Sequence, residues 1–403
     1  MPGHSVARTW LHNPTADAPP KYRRACKYEA FIPNPLSGLS LHLEGLEAGL
    51  VSDAESSIRE LNSVTHPALA PLGHLLLRTE SIASSKIEGM QTGVRELARA
   101  EVKLQSGGKP GRTALEVLAN IQAMELAMRE AVAAKPFTIA ELERIHRRLM
   151  ENAPNGATIA GKIRDSQNWI GGNNYNPCGA DFVPPPPEEV RTLLDDLSAT
   201  INEETLPPVV QAALVHAQFE TIHPFADGNG RTGRALIHVV FKRRGLAPAY
   251  VPPISVVLAA ERDRYIAGLT SFRGDHIMPW LEQFAVAGRR AARLASAYLK
   301  EVQELITTWR SQLEALPTAP RSDAAAWAII DILPAHPVID AAVAKSATGR
   351  SVRVYEALDQ LETAGVLVPT SRSQRNRSWE AAGLIDLLEG LEAGELLDPA
   401  SNP

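Results

Sequence analysis

The stretch His223-Pro-Phe-Ala-Asp-Gly-Asn-Gly-Arg-Thr-Gly-Arg234 decides how the rest of the chain is read. It follows a segment, Pro208 to Ile222, whose apolar residues Val210, Leu214, Ala217 and Ile222 predict a helix. It opens a second helix, roughly Gly230 to Arg244, with Leu236, Ile237, Val240 and Phe241 on one stripe, stopped by Gly245 and Pro248. The stretch is therefore a tight helix-to-helix loop. Its Asp-Gly-Asn-Gly core lets backbone amides converge at a helix N-terminus, where unpaired N–H groups and positive potential suit an anion. Arg231 and Arg234 lie on one face of the first turn, where each cation costs roughly a few tenths of a kcal/mol unless an anion is present. A polyphosphate meets that need, and guanidinium forks match phosphate oxygens. Asp227 offers the hard oxygen that Mg²⁺ takes when it bridges protein and phosphate. His223 is the one side chain here able to accept a proton near neutral pH.

These residues resemble a known signature. The stretch is similar to the Fic family's HPFx[D/E]GNGRxxR, and the nine specified positions among its twelve all match. The resemblance implies a mainly α-helical Fic core with a small β-hairpin flap. It also implies transfer of AMP from ATP, with Mg²⁺, to a Ser, Thr or Tyr hydroxyl of a target protein or of the chain itself. On that pattern His223 is the general base, Asp227 holds the metal, and Gly228, Asn229 and Gly230 form an anion nest. Arg231, Thr232, Gly233 and Arg234 complete the nucleotide site, the two arginines taking the β- and γ-phosphates, while Phe225 anchors the loop. Nothing in the stretch departs from the AMP-transferring pattern, which sets aside the phosphocholine-transferring and phosphorylating relatives.

Upstream, a helix is predicted from Pro67, with Leu72, Leu75, Leu76, Ile82 and Ile87 inward, ending at Ser84-Ser-Lys-Ile-Glu-Gly89. A lone Glu88 at a helix end reads as a solvated charge. Ser84, Glu88 and Gly89 also resemble the family's (S/T)xxxE(G/N) inhibitory motif, which implies a salt bridge from Glu88 to Arg234 that blocks the γ-phosphate. Residues 1 to about 35 read as an irregular lead-in, with Tyr28 to Leu36 extended. Leu39 to Leu61 and Thr113 to Ala134 read as helices, and Thr138 to Glu141 as a capping box. His146 reads as a surface or packed helical residue, and no histidine stands at zinc spacing.

From Ile163 the period changes. Weak alternation, the turn residues Gly171-Gly-Asn-Asn and then Phe182-Val183 before four prolines read as a hairpin with an open edge. It resembles the Fic flap, which implies that a target segment docks on 163–183 as an added strand. Ile170, Gly171 and Gly172 are expected to touch the nucleotide from that side. Tyr265 stands where family members place aromatics against adenine, although a core position fits it nearly as well.

The last hundred residues look separate: helices over Asp323–Leu333, Ile339–Lys345 and Ser351–Ala364, then a hairpin from Gly365 returning at Arg377, the winged helix-turn-helix pattern. Between Lys345 and Arg377 six basic and three acidic residues leave a local charge of +3. DNA and a protein partner both fit, as does a homodimer. The expected division is an N-terminal helical region with the inhibitory motif (1–105), a Fic core (106–300) and a winged-helix-like domain (301–403). Composition is that of a soluble globular protein, at 44% hydrophobic and 22% charged, and a net charge of −5 argues against a surface wholly given to nucleic acid. Two cysteines are too few for a disulfide framework, so the expected home is the reducing cytoplasm, with no membrane segment. The expected activity is that of a protein adenylyltransferase restrained by Glu88. Two alternatives stand: removal of AMP at the same site, and a DNA-binding regulator whose core senses nucleotide.

Overall fold

The computed structural model describes residues 3–63, 70–105, 107–133, 135–349, 352–370 and 377–395. The chain is mainly helical with small antiparallel sheets, as the resemblance implies. In order come β1 (Gly3–Trp10), β2 (Cys26–Pro33), α1 (Gly45–Ser63), α2 (Ala70–Ile87), α3 (Val94–Gln105) and α4 (Arg112–Ala131). Next are α5 (Ile139–Met150), α6 (Gly156–Ile159), α7 (Pro187–Asn202), α8 (Pro208–Ile222) and α9 (Asn229–Arg243). Then follow α10 (Ile254–Ala260), α11 (Arg262–Arg273), α12 (Ile277–Glu314), α13 (Ala325–Ile332), β3 (Val338–Asp340) and α14 (Ala341–Thr348). The last elements are α15 (Val354–Thr363), β4 (Leu367–Pro369), β5 (Ser378–Ala381) and α16 (Leu384–Ala393). They gather into two compact units. One comprises Met1–Glu55, Gln122–Leu246 and Glu261–Val286; the other Ser56–Ile121, Ala247–Ala260 and Ala287–Pro403.

The first unit is built around α8. Residues 209–222 are all buried, as expected of a helix that is apolar all round and forms the middle of a core. It packs against α7, α9 and α11. The Thr138 capping box forms at the head of α5, with Thr138 N–H donating to Glu141 Oε2 at 2.8 Å, which sets where that helix begins.

The lead-in is not irregular. β1 and β2 pair antiparallel in register from Gly3↔Pro33 to Trp10↔Cys26. Most of their side chains are exposed or half-buried, so the period-two apolar signal that marks a strand is missing. The hairpin is fastened to the flap instead. Phe31 N–H donates to Val183 O at 2.9 Å, and the ring pairs Trp10–Trp169, Tyr22–Tyr175 and Phe31–Phe182 join the two. The two cysteines, too few for a disulfide framework, do form one bond: Cys26 and Cys178 are joined across this contact, with Cα atoms 6.3 Å apart.

In the second unit α2 buries Leu72, Leu75, Leu76, Ile82 and Ile87 as its spacing predicts and packs against α10 and α16. Helices α13, α14 and α15 pack on one another beside a three-stranded sheet of order β3-β5-β4. The second of these helices starts at Ala341, not Ile339, because 338–340 pairs with β5 and Asp340 caps the helix by accepting from Val343 N–H at 2.8 Å. Likewise α1 starts at Gly45 rather than Leu39, beyond the turn at Gly38. Pro67, Ala134, Arg350, Ser351, Arg372 and Arg375 lie outside the described residues.

Candidate active site

His223 ends α8 in left-handed backbone, φ 49° and ψ 60°, a conformation that costs a non-glycine residue about 1–2 kcal/mol. The turn reverses the chain within a few residues and leaves the imidazole half-buried. Phe225 is fully buried and anchors the loop as expected. Asn229 closes it from within: Phe225 N–H donates to Asn229 Oδ1 at 2.9 Å, and Asn229 Nδ2 donates to Phe225 O at 2.8 Å. Gly228 then caps α9 with φ 76°, and a Cβ there would lie 2.8 Å from Met150 Sδ. Only glycine fits a left-handed turn with no side-chain space. Helix α9 therefore begins at the loop, and the first turn of a helix, whose N–H groups have no intrahelical acceptor, is its anion-receiving end.

Asp227 is exposed, and one carboxylate oxygen accepts from Gly228 N–H at 2.6 Å. Among the described residues no three His, Cys, Asp or Glu side chains are grouped to hold a metal. A Mg²⁺ bound by protein alone is therefore not built here. One held by a single exposed carboxylate and substrate phosphates fits the donor set. Arg231 and Arg234 are buried, 3% and 1% exposed. Thr232 turns inward and donates its hydroxyl to Gly228 O at 2.9 Å. Gly233 faces α8, where a Cβ would lie 2.5 Å from Glu220 Oε1, so its smallness lets the two helices meet.

The flap is slighter than a regular ladder. Its arms meet at a single bridge, Ile170↔Phe182, with Ile170 N–H donating to Phe182 O at 2.8 Å, and Gly171 and Gly172 form the turn beside it. Tyr265 is a core residue: it is 3% exposed, its hydroxyl is 2.8 Å from His216 Nε2, and its ring neighbours Trp280. Ser84 is fully buried on α2, while Glu88 is exposed in the turn that follows, its N–H donating to Ser85 O at 3.1 Å.

Three supporting residues carried no motif signal. His146 lies face to face with Phe225, ring centroids 3.6 Å apart. Gly161 N–H donates to its Nδ1 at 2.9 Å, so Nε2 carries the proton and donates to Asp227 O at 2.9 Å. Burial lowers its pKa to about 4, with the Asp227 carbonyl working the other way, and the ring is neutral. Its place among Leu142, Ile145 and Leu149 was the available sign of burial. Arg273, its pKa lowered to about 10 by burial, covers the Phe182 ring at 3.8 Å and holds the flap to α8 by donating to Glu220 O at 3.3 Å. Arg164 reaches the loop through backbone carbonyls alone, as described below.

With this geometry stand the comparisons with known proteins. The Fic/DOC family profile matches residues 136–241, and that family's N-terminal profile matches residues 48–129. The chain belongs to the Fic family. It is 34% identical over 119 residues to protein adenylyltransferase fic-1 of Caenorhabditis elegans, covering 29% of this chain and 21% of that protein. It is 28% identical over 243 residues to protein adenylyltransferase Fic of Drosophila erecta, covering 54% and 47%. The chain thus spans less than half the length of these curated relatives. A crystal structure of a Fic family protein from Desulfovibrio desulfuricans superposes with a TM-score of 0.51 at 20% identity, over 85% of this chain and 98% of that one. That likeness concerns the fold of this Fic protein.

Proposed function

We propose that this chain is a protein adenylyltransferase, moving AMP from ATP to a side-chain hydroxyl of a target protein or of itself. One observation carries the reading: a base-capable His223 at a left-handed turn, five residues before the glycine that caps a helix whose first two turns hold Arg231 and Arg234. The acceptor oxygen attacks the α-phosphorus, the P–O bond to the β-phosphate breaks, and pyrophosphate leaves. His223 takes the hydroxyl proton as the new P–O bond forms. The amides of Gly228, Asn229 and Gly230 hold phosphate oxygens, while Arg231 and Arg234 hold the β- and γ-phosphates. Asp227 is the ligand for Mg²⁺, whose contribution is to neutralise phosphate charge. The flap, 163–183, takes the target segment, and Ile170, Gly171 and Gly172 lie on its nucleotide side. The names of the curated relatives support the activity.

Glu88, with Ser84 and Gly89, is proposed to restrain transfer. Its charge stands just past the C-terminus of α2, where an anion is unfavourable by roughly a few tenths of a kcal/mol until a cation meets it. The sequence division at residues 105 and 300 is kept as a functional one, with the C-terminal region a docking module for DNA, a protein or a second copy. No helix among the described residues is long and apolar enough to cross a membrane. The cytoplasm expected from the sequence stays an expectation, since the Cys26–Cys178 bond is characteristic of oxidising compartments. The test is incorporation of label from α-labelled ATP by purified protein and by lysate. Glu88→Gly should raise it at least about tenfold, or 1.4 kcal/mol. No label from wild type or Glu88→Gly overturns the activity. Loss of label from a pre-modified target, abolished by Glu88→Gly, would establish AMP removal in its place.

A further inference from the structure

Arg164 is the buried charge that the loop chemistry leaves unexplained. It is 6% exposed, and among the described residues no carboxylate lies within ion-pair reach of it. Its guanidinium donates only to backbone carbonyls. Nε meets His223 O at 2.9 Å, Nη1 meets Ser166 O at 3.1 Å, and Nη2 meets both Pro185 O at 2.6 Å and Ile222 O at 3.3 Å. Its own N–H donates to Pro224 O at 2.9 Å. Two of the four carbonyls belong to the end of α8 and its left-handed cap; the other two flank the flap. Asn168, also of the flap, adds a second donor on His223 O at 3.1 Å and one on Phe225 O at 3.0 Å.

We propose that Arg164 is a positioning residue for His223: it holds the left-handed turn of the base and the two feet of the flap in one fixed frame. The inference rests on the adenylyltransferase reading for its kinetic arm only. His223 has no intrinsic reason to stay left-handed, and the orientation of the 223–224 peptide is what aims its side chain. Two donors on the carbonyl of that peptide, both rooted in the flap segment, hold the orientation. A planar fork with five N–H groups can serve four acceptors at fixed angles; a lysine ammonium, a point charge with three rotating donors, cannot. Burial lowers the Arg164 pKa to about 10, with the Glu188 charge working the other way, so the fork stays charged at neutral pH. A target strand seated on the flap thereby meets an imidazole whose position is set by the same four carbonyls.

The experiment compares wild type, Arg164→Lys, Arg164→Ala and Asn168→Ala. Three quantities are read: AMP transfer split into kcat and KM, affinity for ATP by calorimetry, and amide hydrogen exchange by mass spectrometry. Arg164→Lys should lower kcat about 30-fold or more while ATP affinity changes less than about threefold. Exchange should rise together in 166–185 and 222–226. Asn168→Ala, which leaves the fork in place, should give the same pattern at smaller amplitude. Added methylguanidinium should restore part of the transfer to Arg164→Ala, which a merely structural loss would not allow. Wild-type kcat in Arg164→Lys, or exchange that rises in the flap alone, overturns the proposal. If wild type transfers no AMP, the activity reading falls, and the exchange arm alone decides on Arg164.

Discussion

The loop at 223–229 and the sheet face at β5 are held by opposite means. Around the loop, buried or half-buried side chains bind backbone: Asn229 and Asn168 on Phe225, His146 on Asp227, Arg164 on His223. At β5, charge meets charge at the surface, on a Glu380 that is itself half-buried. Glu380 takes Arg95 at 3.1 Å and Arg99 at 3.0 Å, and Arg95 continues to Asp386 at 3.2 Å, its own side chain 39% exposed and that of Arg99 53%. Exposed pairs contribute little, because solvent screens them and two long side chains must be ordered. Buried bonds to backbone contribute through the cost of their loss, since the carbonyl left behind has no water to turn to. The 223–229 loop is thus fixed in angle, and the ion pairs at β5 add little to the face they sit on.

The contrast can be tested from its strongest term downward. If His223 is the proton acceptor proposed above, His223→Ala should lower AMP transfer about 10²- to 10⁴-fold with ATP affinity nearly unchanged. Wild-type rates would remove His223 from the mechanism. The next effect is one of pH. His146 and His216, with pKa values lowered by burial to about 4 and about 3, are neutral when folded and titrate near 6.5 when unfolded. The unfolded chain therefore binds more protons below pH 6.5, and stability should fall as pH drops from about 6.5 to about 4, by roughly 3 kcal/mol for His146. His146→Gln should lessen the fall of the denaturant midpoint over that window, the His216 share remaining; an unchanged slope would mean that the His146 imidazole is not held neutral.

Third, Asn229→Ala leaves the Phe225 N–H without its Asn229 partner and should cost about 2 kcal/mol, read from the denaturant midpoint, with a matching loss of transfer. A change confined to transfer would show that Asn229 acts on substrate rather than on the loop. The smallest effect should come from Arg99→Ala, under about 1 kcal/mol and weaker still in high salt. A loss of several kcal/mol there would erase the difference between the loop and the β5 face.

Legibility in the sequence follows the same line. Helices α8 and α9 and the loop between them were readable because their burial is written in side-chain periodicity and their chemistry in a dense motif. The supports of the loop were not. Arg164 and His146 act on carbonyls, which every residue carries, so no partner residue marks the interaction. The β1–β2 hairpin escaped for a related reason: its ladder is backbone pairing between strands whose side chains stay largely in solvent, and its tie to the flap depends on residues more than a hundred positions away. Tyr265 packs with His216 and Trp280 in the core, a place that its sequence context fitted nearly as well as one beside a ligand.

The bond between Cys26 and Cys178 closes a covalent ring over 152 positions of sequence, and α1 through α6 all lie within it. On the chain-entropy account such a ring disfavours the unfolded chain by about 5 kcal/mol. It also changes what cutting the chain means. A protease that nicks the backbone between the two cysteines opens a ring rather than dividing a thread, so both fragments should run as one species without reductant and separate only when thiol is added. A cut outside the ring should release its piece at once.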